Sequence, residues 1–224
     1  MLKHFPDYNE LPSITTLRHK SVVLPVGIDL ARFDAHRPAE PRRGPPLILW
    51  NHRWEYDKNP EEFFEALYAL AAEGLEFQVA LAGENFRLEP REFDEARQRL
   101  GERMIHCGYV EDFAEYARLL WRADILPVTS WHDFFGVSVV EALYCDTFPL
   151  LPARLSYPEL VGPAWAQECL YRDSAEFLAR LRRCILNIET YRRLSLRSLA
   201  GRFDWSVLIG EYDAHLEALC RAGG

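Results

Sequence analysis

The stretch WHDFFGVSVVEALYC, residues 131–145, decides how this 224-residue chain is read, because it sets two carboxylates either side of a glycine where an apolar strand hands over to a helix. Residues 125–129 before it, ILPVT, suit a short buried strand, and residues 137–144 after it carry apolar side chains at helical spacing. The turn therefore falls at the carboxyl end of a strand. Ligands bind at that end of an open parallel sheet, and the free N–H groups of Gly136, Val137 and Ser138 would face an anion. Glycine at 136 lets the backbone approach it closely. Asp133 and Glu141 would border the same cleft, where two acceptors suit hydroxyl groups better than phosphates.

Working outward, the chain repeats the same strand-to-helix unit. Residues 47–51 (LILWN) are a continuous apolar run of the kind found in buried parallel strands. Asn59 is placed to cap the helix that follows, with Pro60 at its first position and Glu61 and Glu62 at the positive end of its dipole. Residues 77–82 (FQVALA) predict a second strand with Gly83, Glu84 and Asn85 at its exit, and residues 92–100 a charged amphipathic helix. Residues 104–107 predict a third strand; Gly108, Tyr109 and Val110 then lead to a helix with Asp112 and Glu115 in capping-box positions. Residues 125–129 are the fourth strand, with Pro127 a local misfit. Residues 148–151 predict a fifth, residues 157–161 a short helix, and residues 174–219 two or three helices. The expected fold class is α/β: a Rossmann-like open parallel sheet with helices on both faces. At the start, residues 1–21 show no clear period and read as the tail of a preceding unit, residues 21–26 (SVVLPV) read as a strand, and RPAEPRRGPP at 37–46 reads as a linker.

A second set of candidate residues lies in the loop after the first strand, where Arg53 and Lys58 are five apart. Of the 26 basic residues only Lys3, Lys20 and Lys58 are lysines. Lys58 is thus the single lysine of the expected folded body, and a compact point charge suits a phosphate where a planar fork does not. An ordinary exposed loop lysine is the plain alternative. Asn51 could add a polar contact; His52 reads equally as a core histidine or a ligand, and Trp54 as packing for the loop.

The pattern acid, Phe, Gly, with Glu141 eight positions after Asp133, resembles that of the retaining glycosyltransferases of family four, whose GT-B architecture sets two Rossmann-like halves face to face. The resemblance implies that this chain is the C-terminal, donor-binding half. It implies roles for Asp133 with the donor sugar, where the family usually has Glu, for Glu141 with the nucleotide ribose, and for Arg53 and Lys58 with the diphosphate; these four are the candidate catalytic residues. Phe135, Gly136 and Val137 would line the donor site, and backbone at Gly108, Tyr109 and Val110 would meet the base. More narrowly, residues 51–64 (NHRWEYDKNPEEFF) and 132–145 resemble the branch that mannosylates queuosine in tRNA. That branch implies GDP-mannose as the nucleotide sugar, no metal or other cofactor, and a tRNA partner engaged by the full-length enzyme, although the residues named do not separate guanine from uracil. GID at 27–29 followed by Phe33 is similar to the segment joining the family's two halves, Glu159 matches its usual Pro-Glu, and FDWSVLIGEYD at 203–213 resembles its closing helix. The implied domains are 1–45, the tail of a missing N-terminal acceptor domain with the linker; 46–202, the Rossmann-like domain; and 203–224, the closing helix.

Composition bounds these expectations. A 49% hydrophobic content excludes a disordered chain, and the net charge of −8 argues against a surface built throughout to neutralise nucleic-acid phosphates. Eight arginines between 172 and 202 make a local excess, read chiefly as a solvated helical face. Five scattered cysteines without a C-x-x-C pair read as buried free thiols in a reducing compartment, and no run is apolar enough for a membrane helix, so a cytoplasmic protein with no membrane partner is expected. No histidine pair or D-x-D supports a metal site. Two other classes compete: a dinucleotide oxidoreductase, for which residues 47–59 lack the glycines of a G-x-G-x-x-G turn, and a non-catalytic interaction module that keeps the Rossmann-like shape. A donor domain serving another glycan or a small-molecule acceptor is the nearer alternative.

Overall fold

The computed structural model describes residues 11–83 and 91–222. Six strands, β1 (Leu47–Trp50), β2 (Gln78–Leu81), β3 (Met104–Cys107), β4 (Ile125–Pro127), β5 (Phe148–Pro152) and β6 (Leu170–Tyr171), form one parallel sheet in the order β3-β2-β1-β4-β5-β6. The first five are the strands expected. The sixth has two residues, too few for any periodicity to announce it.

Ten α-helices, besides three short 3₁₀ helices, complete the described residues: α1 (Leu11–Lys20), α2 (Pro60–Ala72), α3 (Arg91–Leu100), α4 (Phe113–Arg122), α5 (Val137–Tyr144), α6 (Tyr157–Cys169), α7 (Ser174–Leu186), α8 (Ile188–Tyr191), α9 (Arg197–Gly201) and α10 (Trp205–Ala222). α2 packs with α3 and α7, and α5 packs with α4 and α9, so both faces of the sheet are covered, as right-handed crossovers require. Trp50, Phe63, Phe64 and Phe93 form an aromatic cluster, all buried. Asp112 caps α4 by accepting from the Glu115 amide at 2.9 Å, as its spacing predicts.

Several local expectations are corrected. Residues 11–20 form a helix, and residues 21–26 are unpaired: Val23 is 91% exposed, no strand runs alongside, and Pro25 lacks a donor. Asn59 occupies the N-cap position of α2 in a left-handed conformation (φ 52°), but its side chain accepts from no backbone amide of the helix; its Nδ2 donates to Glu62 Oε2 at 2.6 Å instead. The short helix expected at residues 157–161 does end there, at the non-helical Gly162 (φ 68°), but a second helical stretch that was not expected begins at Pro163 and carries α6 on to Cys169. Four helices, not two or three, follow residue 173.

Pro127 turns out to be informative. Val128 N–H bonds the Leu150 carbonyl on the β5 side, so the donor that Pro127 lacks would have faced β1. There the pairing of β1 with β4 is confined to Ile48 opposite Ile125. The two strands therefore part toward their carboxyl ends, at the point where the strand order reverses. In sheets of this order that crevice is the ligand site.

A seam joins the incoming and outgoing segments. Ile28 N–H bonds the Phe203 carbonyl at 2.8 Å, Trp205 N–H the Ile28 carbonyl at 3.0 Å, Leu30 N–H the Asp204 carboxylate at 3.0 Å, and the Tyr212 hydroxyl the Pro25 carbonyl at 2.7 Å. At the opposite, amino end of the sheet, a concavity of about 920 Å³ is spanned by Arg42 and by the Arg192–Asp124 pair. Arg42 donates to the carbonyls of Trp121, Cys145 and Asp146, closing the ends of α4 and α5. That groove is scaffold and lies away from the crevice.

Candidate active site

The loops leaving β1 and β4 are stitched together across the crevice. Thr129 Oγ1 donates to the carbonyls of Lys58 (2.8 Å) and Asn59 (2.9 Å), and Trp131 N–H donates to the Asp57 carbonyl at 2.7 Å. Lys58, only 7% exposed, donates from Nζ to the His132 carbonyl at 2.7 Å and lies 3.5 Å from Asp57 and 3.7 Å from Asp133. The structure thus brings Lys58 and Asp133 together, and the ordinary exposed-loop reading of the lysine fails. Asp133 also accepts from the Tyr157 hydroxyl and from the Phe135 amide, both at 3.2 Å. Burial, with Asp133 beside it, holds the Tyr157 phenol well above its usual range, so it stays a donor.

Arg53 is not drawn into this group. Its side chain is 55% exposed and pairs with Glu55 at 3.2 Å.

Gly136 sits at the N-cap of α5 with φ +91°, a backbone that favours glycine, and a Cβ there would approach Leu160 to 3.3 Å and Tyr157 to 3.4 Å. Among the described residues, no backbone hydrogen bond occupies the amides of Gly136, Val137 and Ser138. They are the free donors of a helix start, opening onto the crevice. Phe135 supports the turn: its ring meets Phe203 edge-on at 5.0 Å, and its carbonyl accepts from Ser156 at 3.1 Å.

Glu141, one helical turn further, is 9% exposed and accepts from the Tyr116 hydroxyl at 2.8 Å. Burial raises its carboxyl above the usual range, opposed by the Tyr116 bond and by Arg32. Asn51 Nδ2 donates to the Tyr116 oxygen (3.3 Å) and to the Ser138 carbonyl (3.0 Å), while His52 Nδ1 lies 3.2 Å from Ser138 Oγ. Asn51 Oδ1 and His52 Nε2 are buried without a partner. Burial, with Lys58 adding to it and Asp133 opposing it, pushes His52 down to about 4, so it is neutral near pH 7. Gly83, at the exit of β2, is pressed against this loop so closely that a Cβ would fall 1.9 Å from the His52 carbonyl oxygen. Glu84 and Asn85 lie outside the described residues.

Gly108, Tyr109 and Val110 end β3, two strands from the crevice, and make no bond to the Lys58 or Glu141 groups. The Gly108 amide bonds the Leu81 carbonyl at 2.9 Å, its carbonyl lies 3.0 Å from His106 Nε2, and Tyr109 is exposed. Tyr116 and Tyr157 are the site residues that the sequence does not disclose: nothing in their spacing singles them out, and the target of each hydroxyl is set by the fold.

The arginines of residues 172–202 are mostly consumed within the structure. Arg172 and Arg180 pair with Glu176, Arg182 with Glu73, Arg183 with Glu168, Arg192 with Asp124 and Arg197 with Asp34, while Arg202 donates to the Glu159 carbonyl. Cys145, Cys169 and Cys184 are buried, but Cys107 is half-buried and Cys220 exposed, against the expectation for all five. Burial lifts the Cys169 and Cys184 thiols to about 12. Among the described residues no cluster of three or more His, Cys, Asp or Glu side chains could hold a metal, and no helix is long and apolar enough to cross a membrane.

Sheet order, crevice and turn are those of the GT-B glycosyltransferases. The fold matches sucrose-phosphate synthase from Thermosynechococcus elongatus with a TM-score of 0.70 at 21% identity, over 94% of this chain and 57% of that one. It matches the C-terminal domain of a group 1 glycosyl transferase from Francisella tularensis with a TM-score of 0.61 at 20% identity, over 78% of this chain and 97% of that one. In sequence, the family described as "Glycosyl transferases group 1" matches residues 32–197, and the chain belongs to it. Over 134 residues it is 35% identical to the tRNA-queuosine alpha-mannosyltransferase of Drosophila melanogaster, covering 60% of this chain and 34% of that protein. Over 194 residues it is 28% identical to a GDP-mannose-dependent alpha-(1-6)-phosphatidylinositol dimannoside mannosyltransferase of Mycobacterium tuberculosis, covering 83% and 49% respectively. The chain thus spans between a third and a half of the length of these two relatives.

Proposed function

We propose that this chain is the donor-binding half of a retaining glycosyltransferase that takes a nucleotide sugar, GDP-mannose, and serves transfer to queuosine in tRNA. The observation that carries the reading is the convergence of Lys58, Asp133 and the free amides of α5 at the sheet's switch point. Departure of a nucleoside diphosphate leaves negative charge, and fixed donors aimed at it lower the barrier. Lys58 and the amides at Gly136 and Val137 supply such donors, and no metal or other cofactor is invoked. Arg53 can join them, because its exposed pair with Glu55 costs little to break. Asp133 would accept from sugar hydroxyls and Glu141 from the ribose. The mannosyltransferase relatives support mannose as the sugar, and the one named for queuosine supports the acceptor.

The acceptor side is assigned to an N-terminal domain of the same protein, joined through residues 1–45, with residues 46–202 as the donor domain and 203–224 as the closing segment. The buried thiols of Cys145, Cys169 and Cys184 suit a reducing compartment such as the cytoplasm. Two titrations test the donor reading: GDP, UDP and NAD by calorimetry, each with and without EDTA. GDP should bind tightest and indifferently to the chelator; binding of NAD alone, or loss of GDP binding on chelation, would contradict it. Mannose transfer from GDP-mannose to queuosine-containing tRNA, by this chain and by a longer product of its gene, tests the rest. Only the longer product should turn over, since positioning by both walls of a cleft supplies several of the roughly 7–11 kcal/mol available from orientation.

A further inference from the structure

Consecutive residues at the end of β1 grip Ser138 across the crevice. Asn51 Nδ2 donates to the Ser138 carbonyl at 3.0 Å, and His52 Nδ1 lies 3.2 Å from the Ser138 hydroxyl oxygen. Ser138 belongs to the first turn of α5, so these contacts span the gap that opens where β1 and β4 part. The imidazole has little freedom: it is 4% exposed, its ring meets Trp50 edge-on at 5.4 Å, and the His52 carbonyl accepts from Trp50 Nε1 at 3.1 Å. Every partner is buried or half-buried within the sheet and its helices, so this domain alone fixes the arrangement.

The hydrogens of the couple can be counted. Burial keeps the ring neutral near pH 7, leaving it one N–H and one lone pair. Ser138 adds one O–H. A single hydrogen bond joins the two side chains and consumes one of these hydrogens, and among the described residues neither side chain has another partner. One donor hydrogen is therefore left over. With the ring hydrogen on Nε2, the spare donor would be an N–H sealed in the interior. With it on Nδ1, the spare donor is the Ser138 hydroxyl, and Nε2 keeps only a lone pair. Orphaned buried N–H groups are rarer than under-satisfied acceptors, which favours the second arrangement. Nδ1–H then donates to Ser138 Oγ, and the hydroxyl hydrogen is released at the same turn as the free amides of Val137 and Ser138.

We infer that the Ser138 hydroxyl is a further donor to the diphosphate of the nucleotide, and that His52 is the positioning residue that aims it, acting through Nδ1. The inference rests on the reading of the crevice as a donor site. A hydroxyl that already accepts from a fixed imidazole meets an anion without first breaking a bond, the condition under which a donor favours developing charge. The two ring nitrogens thus differ in weight: Nδ1 orients the hydroxyl, and Nε2 does not touch it.

The test measures the affinity of the whole chain for GDP and for guanosine, which lacks phosphate, by displacement of a fluorescent GDP analogue. Ser138→Ala should weaken GDP binding roughly 10- to 150-fold, the range of one hydrogen bond to a charged group. It should leave guanosine unmoved, which also shows that the variant folds. His52→Ala should lose part of the same factor, and adding it to Ser138→Ala should cost nothing more, since the two side chains act as one unit. His52→Asn places its amide nitrogen where Nδ1 stands and should restore GDP binding; His52→Gln, whose amide nitrogen reaches the place of Nε2, should not. A merely structural histidine would show no such split. Equal losses for GDP and guanosine in Ser138→Ala, multiplying losses in the double variant, or rescue by Gln in place of Asn would overturn the inference, as would unchanged GDP affinity in Ser138→Ala. Failure of the wild-type chain to bind GDP strikes the donor-site reading instead.

Discussion

The Tyr116 hydroxyl donates to Oε2 of Glu141 at 2.8 Å, so one oxygen of this nearly buried carboxylate is already committed within the fold. Tyr116 belongs to α4 and Glu141 to α5; the bond fixes the acid from a neighbouring helix.

Tyr116→Phe should therefore weaken GDP binding by about 1.5 to 3 kcal/mol, the usual worth of a hydrogen bond to a charged group. Because that bond lowers the pKa of Glu141, its loss lets burial raise the carboxyl further. The acidic limb of the affinity-versus-pH curve should move to higher pH in the variant. Calorimetry repeated across the acidic range reads both effects; an unmoved limb would assign Tyr116 to packing alone.

Lys58 neutralises two carboxylates in a nearly closed setting. Lys58→Ala leaves Asp57 and Asp133 facing each other and should cost about 3 kcal/mol of stability, in keeping with an uncompensated buried charge, together with GDP affinity. Asp133→Asn should keep GDP binding but erase any preference for GDP-mannose over GDP. Urea unfolding and paired titrations separate the two; equal loss for both ligands in Asp133→Asn would contradict its sugar role.

His52 is depressed from 6.5 to about 4 by burial, so the unfolded chain binds its proton first as the pH falls. Its contribution is complete above about pH 6.5 and is lost progressively toward pH 4, amounting to about 3 kcal/mol for a shift of this size. His52→Asn should flatten the decline in urea midpoint across that window. An identical slope in the variant would show that other groups titrate there.

Arg192 donates to both oxygens of Asp124, at 2.8 and 3.0 Å, and Asp124 also accepts from the Leu47 amide at the start of β1. Arg192→Met should cost about 3 to 5 kcal/mol, since the acid stays buried without its partner. GDP affinity, read at the far end of the strands, should survive under conditions where the variant is folded.

Much of this was legible in the chain because it is periodic. LILWN, FQVALA and ILPVT are apolar runs between punctuated helices, and the spacing of Asp133, Gly136 and Glu141 follows from the turn they share. What escaped detection depends on contacts between distant positions. The rings of Tyr116 and Tyr157 pack within the fold, and only their hydroxyls reach the site, which no spacing announces. Asn59 has the side chain of a cap, yet the loop needs it in a left-handed conformation and its amide goes to Glu62. Leu170–Tyr171 is a strand only because β5 lies beside it, and residues 21–26 are not one because no strand runs alongside them. The arginine run looked like free charge because its partners, Glu73 and Asp34 among them, are far away in sequence.

The seam of Ile28, Leu30, Phe203, Asp204 and Trp205 has a mechanical consequence. Tension applied between α1 and the end of α10 meets the Tyr212–Pro25 bond and then these hydrogen bonds, before any strand of the sheet. The ring of Trp205 packs over Gly27 where a Cβ would lie 2.4 Å away, so the two segments have no slack in which to slide. Residues 28–203 thus hang from a single closed clasp, and a tug on either end swings the domain bodily while the crevice between β1 and β4 keeps its shape.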